Sequence, residues 1–218
     1  MPGRNTPLVN GEFYHVYNRG VEKRNIFTQP RDYKRFQKAF YYYQFLGPKP
    51  SFSKFSKSDL NSFKPDPAKK IVEIICYCLM PNHFHFLIRQ FKDNGISSFI
   101  SQLTNSYTKY FNTKYTRVGT LLQGTFKAVH IETDEQLIHT SRYIHLNPVV
   151  SGLVKNLNTY EWSSYLEYIT GQVIYCSLQE VLNLFSSPKK YQEFVEAQID
   201  YGTALEILKH RTIDADEH

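Results

Sequence analysis

Cysteine is scarce in these 218 residues: only Cys76, Cys78 and Cys176. An odd, low count gives no disulfide framework and fits a reducing compartment. No apolar run is long enough to cross a membrane. Met1 to Asn10 has no apolar stretch of the kind that marks a secretory signal. A cytoplasmic protein with no membrane partner is the expectation. Tryptophan occurs once and methionine twice, and no internal repeat is visible.

What is abundant is aromatic and basic. There are 17 tyrosines and 16 phenylalanines, a net charge of +6 and a pI near 9.0. Cations interleaved with rings suit single-stranded nucleic acid, where phosphates meet Lys and Arg and bases stack. The same rings also serve as core. The hydrophobic content of 41% and charged content of 21% are globular values, and the length suits one domain with an appendage.

Phe13 to Asn18 reads as a first strand, ended by Asn18-Arg19-Gly20. Arg31 to Leu46 has helical periodicity through Phe36, Ala39, Phe40 and Tyr43. Residues 47–70 carry four prolines, five serines and six lysines against two aspartates, the composition of a flexible basic insertion. Ile71 to Leu79 and His83 to Ile88 are two strands around the turn Met80-Pro81-Asn82. A helix from Ile96 to about Asn112 follows, then a strand at Ala128 to Ile131. Thr133 and Gln136 fit a capping box for a helix that ends near Leu146, because Pro148 disfavours helical geometry at Asn147. This order predicts an α+β, ferredoxin-like split βαβ antiparallel sheet with helices on one face. Residues 169–218 form a helical C-terminal extension without an assigned role. Within it Leu205 to Lys209 adds a turn, and Asp214 to His218 is an acidic tail.

Chemistry concentrates at His83-Phe84-His85. Side chains at i and i+2 share a strand face, so both imidazoles point one way. Alone, the pair reads better as two half-exposed strand histidines. On the helix after Thr133, His139, Tyr143 and Asn147 form an i, i+4, i+8 row. A phenol with an ordinary pKa near 10 attacks only when it loses its proton and its electrophile is activated. A divalent cation held by His83 and His85, with the Asn147 amide oxygen, would activate a phosphate. The outcome would be phosphodiester cleavage with a 5′-phosphotyrosine product.

His83-Phe84-His85 also matches the His-hydrophobic-His motif of HUH endonucleases. Tyr14-His15-Val16-Tyr17-Asn18-Arg19, Leu79 to His85, Gly124-Thr125-Phe126-Lys127, Tyr143 to Val149 and Trp162-Ser163-Ser164-Tyr165 occur in the matching order. Together they resemble the IS200/IS605-type single-tyrosine transposases, most of all the REP-associated branch, over roughly residues 11–168. The resemblance implies Mg²⁺ or Mn²⁺ on His83 and His85 and Tyr143 as nucleophile. Asn147 stands where many relatives have Gln. It further implies single-stranded or hairpin DNA as partner. A homodimer and a monomer both fit the sequence. Arg19, Arg89, Lys109, Lys114, Arg117 and Lys127 are the candidate DNA contacts.

Two rival readings stand beside this one. Cys76, Cys78, His83 and His85 have zinc-like spacing across a turn. A degenerate relative would bind hairpin DNA or RNA without cutting. Tyr107 and Tyr110 lie on the apolar side of another helix, where packing is the expected role.

Overall fold

Alternating strands in one half and nearly continuous apolar runs in the other build a four-stranded sheet. The structure, a computed structural model, describes residues 7–47, 49–57 and 63–203. Its strands are β1 (Phe13–Arg19), β2 (Val72–Met80), β3 (His83–Gln90) and β4 (Lys127–Ile131). They lie in the order β2-β3-β1-β4, and every neighbouring pair is antiparallel. Helix α1 (Pro30–Tyr43) lies between β1 and β2 in the chain, and α3 (Gly95–Lys114) between β3 and β4. This is the expected ferredoxin-like order.

One face of the sheet is sealed by rings. Phe84 and Phe86 of β3 meet Phe36 and Phe40 of α1 at centroid distances of 5.3 and 5.4 Å, and Phe86 meets Phe99 of α3 at 6.0 Å. Burying each such ring contributes about 1.5–3 kcal/mol. The expectation of helices on one face holds for α1 and α3 only. Helix α4 (Asp134–Val150) packs against β2 and β3 on the other face, where His85 lies 5.6 Å from the Tyr143 ring. Neighbouring residues of a strand point to opposite faces, so the Phe84 and His85 layers need separate covers.

The insertion is more anchored than its composition suggests. A one-turn helix, α2 (Phe52–Phe55), buries both of its phenylalanines, and Phe63 is buried as well. All three rings gather around Tyr42 of α1 at 5.3–5.5 Å. Three apolar residues spaced among serines and lysines form no periodic signal, yet they suffice to pin the segment. Pro48 and residues 58–62 lie outside the described residues.

Helix α4 starts as expected: the Thr133 hydroxyl accepts from the Gln136 amide at 3.1 Å. It ends later, at Val150, with Pro148 inside the last turn. Proline removes one donor, but Ser151 N still reaches the Asn147 carbonyl at 3.0 Å and Leu153 N the Pro148 carbonyl at 2.9 Å. The helix therefore outlasts the local preference.

The C-terminal extension braces α4. After α5 (Tyr165–Thr170) and α6 (Gln179–Leu182) comes α7 (Pro188–Glu196). Buried Tyr191 of α7 joins its hydroxyl to His145 Nδ1 at 2.7 Å and donates to Ser141 Oγ at 3.1 Å. The Arg142 guanidinium lies 4.2 Å from the centre of the Phe194 ring. The turn and acidic tail expected beyond residue 203 lie outside the described residues. No described helix is long and apolar enough to cross a membrane.

Candidate active site

Strand β3 presents His83 and His85 on one face, with ring centroids 4.9 Å apart. Its neighbour β1 pairs Arg19 with His83 and Tyr17 with His85, and β4 pairs Lys127 with Tyr17. Cross-strand partners share a face, so Tyr17, Arg19 and Lys127 join the histidines. Helix α4 lays Tyr143 over them. Its ring is 5.6 Å from His85 and 5.8 Å from His15, and the residue is 53% exposed. The result is a cleft of about 700 Å³.

The cleft is cationic. Arg19, Lys23 and Lys127 line it, and no Asp or Glu does. Its lip is stitched together by backbone bonds. Gly20 N donates to the Asn82 carbonyl at 2.7 Å, and Gln123 N to the Arg19 carbonyl at 2.8 Å. The Arg19 Nε donates to Gln123 Oε1 at 2.9 Å. A side chain at Gly20 would put its Cβ 2.2 Å from the Arg24 carbonyl oxygen, so only glycine fits this lip.

Both histidines are neutral. Burial, with help from the Arg19 charge, lowers the His83 pKa to about 4. Burial and the neighbouring His15 and His83 hold His85 well below 6.5. The hydrogen bonds fix one tautomer outright. Asn82 donates its Nδ2 to the Lys23 carbonyl at 3.1 Å, which turns its oxygen to His83 Nδ1 at 2.6 Å. An amide oxygen only accepts, so the His83 proton is on Nδ1 and a lone pair on Nε2. His85 Nδ1 lies 2.9 Å from His15 Nε2. If His85 donates there, its Nε2 also keeps a lone pair.

This donor set fits a divalent cation: two neutral imidazoles, each tied at Nδ1, within an acid-free cleft. Among the described residues no three His, Cys, Asp or Glu side chains converge as metal ligands. A cation here would rest on two imidazoles and on oxygen ligands of another kind. Asn147 is not among the residues lining the cleft, and its Nδ2 donates to the Tyr143 carbonyl at 2.8 Å. The zinc alternative loses its cysteines. Cys76 and Cys78 are fully buried, burial raises both thiols, and Cys78 Sγ donates to Met80 Sδ at 3.6 Å. Tyr107 is core, donating its hydroxyl to the Ile26 carbonyl at 2.5 Å, and Tyr110 donates to Asp32 at 2.9 Å.

The six cations singled out from sequence do not form one patch. Arg19 and Lys127 reach the cleft. Arg89 pairs with Glu180 at 2.8 Å. Arg117 donates to Asn112 Oδ1 at 2.9 Å and to the Thr120 carbonyl at 2.7 Å. Lys109 and Lys114 line a different groove, and Lys114 pairs with Asp32 at 2.6 Å. Lys23 and Gln123 join the site unannounced by the sequence, and His15 and Tyr17 had entered only within the Tyr14 to Arg19 motif, without a role. His15 and Tyr17 carry the same i, i+2 alternation as the histidine pair, which is the signal that would have found them.

Residues 57–147 match the family model of the IS200-like transposases. No curated protein matches the sequence. Among solved structures, a REP-associated tyrosine transposase bound to a REP hairpin is similar with a TM-score of 0.57 and 17% identity, over 86% of this chain and 96% of that one. A tRNA(His) guanylyltransferase from Saccharomyces cerevisiae has a TM-score of 0.41 and 10% identity, over 89% and 80%, a likeness that carries no argument. Residues 57–147 are thus similar to the IS200-like transposases, and the fold is shared with a REP-associated tyrosine transposase.

Proposed function

We propose that this protein cuts single-stranded DNA beside a hairpin and holds the 5′ end as a phosphotyrosine on Tyr143. One observation carries the reading: Tyr143 from α4 meets His83 and His85 from β3 in one cationic cleft. The phenolic oxygen attacks phosphorus and loses its proton to water, to which the half-exposed residue is open. The bond from phosphorus to the 3′ oxygen breaks, and that oxygen takes up a proton as a free hydroxyl. One phosphodiester replaces another, so attack by a 3′ hydroxyl on the phosphotyrosine rejoins a strand.

Arg19, Lys23 and Lys127 hold the phosphates on either side of the reacting one and offset charge that builds on its oxygens. His83 and His85 would hold Mg²⁺ or Mn²⁺, which supplies Lewis acidity toward the phosphate oxygens. Asn82 and His15 keep the two imidazoles oriented for that task. Asn147 donates its Nδ2 to the helix backbone and keeps Oδ1 as the oxygen it would offer to the metal.

The test is incubation with single-stranded hairpin DNA and Mn²⁺, followed by denaturing electrophoresis. A protein–DNA adduct that disappears with EDTA is the expected result. Nicks without an adduct, or full activity in EDTA, overturn the reading.

A further inference from the structure

A second groove opens on the sheet face opposite the histidines. Helices α1 and α3 line it together with Phe52 and Ser53 of α2, and it encloses about 510 Å³. Four cations face it: Arg31 and Arg35 one turn apart on α1, and Lys109 and Lys114 on α3. No carboxylate lines it. Asp32 of α1 is fully buried, and its charge is already answered by neighbouring donors. It accepts from Lys114 Nζ at 2.6 Å, from the Tyr110 and Tyr115 hydroxyls at 2.9 and 2.7 Å, and from the Thr28 and Gln29 amides, both at 3.1 Å. Among the described residues, neither Arg31, Arg35 nor Lys109 has a carboxylate partner.

Arg35 is the unusual member. Its guanidinium lies 4.3 Å from the centre of the Phe52 ring and 5.3 Å from that of Tyr110. Its Nε–H is buried and has no acceptor among the described residues. Rings fix a guanidinium by stacking but do not answer its in-plane donors. Buried donors are normally satisfied, and an anionic oxygen is the strongest acceptor available to Arg. Ser106 and Thr113 add hydroxyl donors along the same wall.

We propose that this groove grips the phosphate backbone of DNA flanking the cut site, with Arg35 as its anchor. The proposal rests on the reading of the substrate as DNA. The groove and the cleft lie on opposite faces of the sheet, so the nucleotides held here are not those being cut. They belong to a strand that runs around the domain, and the groove lengthens the grip on a flank without touching the chemistry.

The experiment compares a minimal hairpin with the same hairpin carrying a long single-stranded flank. Affinity is measured across salt concentrations for the wild type and for Arg31→Ala combined with Lys109→Ala, two exposed side chains whose loss leaves the core intact. In the wild type the flank raises affinity. In the double variant that gain shrinks, and the slope of log affinity against log salt flattens by about 1.4, from two contacts at about 0.7 each. Arg35→Lys keeps the charge and loses the Nε–H, and it also reduces the gain. An unchanged gain and slope in both variants overturns the groove while leaving the cleft reading intact. A wild type that forms no tyrosine adduct, yet whose salt slope flattens in the double variant, overturns the cleft reading and upholds the groove.

Discussion

His85 and His145 are two buried imidazoles set in the same domain, and their surroundings lead to opposite roles. His85 is 5% exposed and His145 not at all, and burial lowers the pKa of each. Around His145 both ring nitrogens are spent: Nδ1 on the Tyr191 hydroxyl at 2.7 Å and Nε2 on Ser164 Oγ at 2.8 Å. The rings of Tyr165, Tyr168 and Tyr191 enclose it. Around His85, Nδ1 is engaged on His15, and no hydrogen bond to Nε2 is found among the described residues. Burial and a lowered pKa therefore do not separate a site histidine from a core one. The number of ring nitrogens already in use does.

The largest effect expected on the cleft side comes from the nucleophile. Tyr143→Phe removes one oxygen from a half-exposed ring, so stability should change by less than about 0.5 kcal/mol. Adduct formation should fall by about 10⁴-fold or more, as when other enzymes lose a nucleophile. Hairpin binding by gel shift should persist. An adduct at wild-type levels would move the attack to another tyrosine, and peptide mapping of the adduct would find it.

Next in size is the exchange between the two histidines. His85→Ala should lose metal-dependent cleavage by about 10²–10³-fold, the usual cost of removing one electrostatic stabiliser. Its unfolding midpoint in urea should move less than that of His145→Ala, because it orphans one partner, His15, instead of two. His145→Ala should do the reverse. It orphans Tyr191 and Ser164, at about 1–3 kcal/mol for each unsatisfied group, and should keep its cleavage rate wherever it remains folded. A His145→Ala protein of normal stability and no activity would break the comparison.

Smaller again is the contribution of His15. If it fixes His85 by accepting the Nδ1 proton, His15→Phe should weaken Mn²⁺ binding about 10–100-fold. His15→Gln, which restores an acceptor, should recover most of it. Titration calorimetry with Mn²⁺ reads this without turnover. Equal affinities in all three proteins would make His15 a packing residue.

Much of this was written in the chain. The alternation through His83-Phe84-His85 put both imidazoles on one face, and the helical row placed Tyr143 within reach. Thr133 announced where α4 begins. What stayed hidden depends on partners distant in sequence. Lys114 and Arg89 read as DNA contacts until Asp32 and Glu180 are found opposite them, 82 and 91 residues away. Lys23 and Gln123 become site residues only because the Lys23 carbonyl accepts from Asn82 Nδ2 and Gln123 N donates to the Arg19 carbonyl. Pro148 suggested a helix end that neighbouring backbone bonds carry past it. Phe52, Phe55 and Phe63 were masked by the serines and lysines between them.

The smallest effect is on stability against pH, and it tests the core side of the comparison. The His145 pKa is about 3 in the folded protein, against an ordinary 6.5. Between those values the unfolded chain binds a proton that the folded protein refuses. Stability from this group is therefore complete above pH 6.5 and drains away as pH falls, by up to about 1.4 kcal/mol per unit. His15 and His83, both lowered to about 4, pull the same way. Glu167, raised by burial, pulls against them at the acid end. Asp32, held at about 2 because its bonds to Lys114 and Tyr115 outweigh burial, matters only below pH 3.8. These other terms are common to the wild type and to His145→Gln, so the difference between the two proteins isolates one imidazole. From pH 7.5 to 5.5 the wild type should lose about 1.4 kcal/mol more than the variant in urea unfolding. Parallel losses would mean that His145 takes up its proton inside the folded core, against the hydrogen bonds that now hold both of its nitrogens.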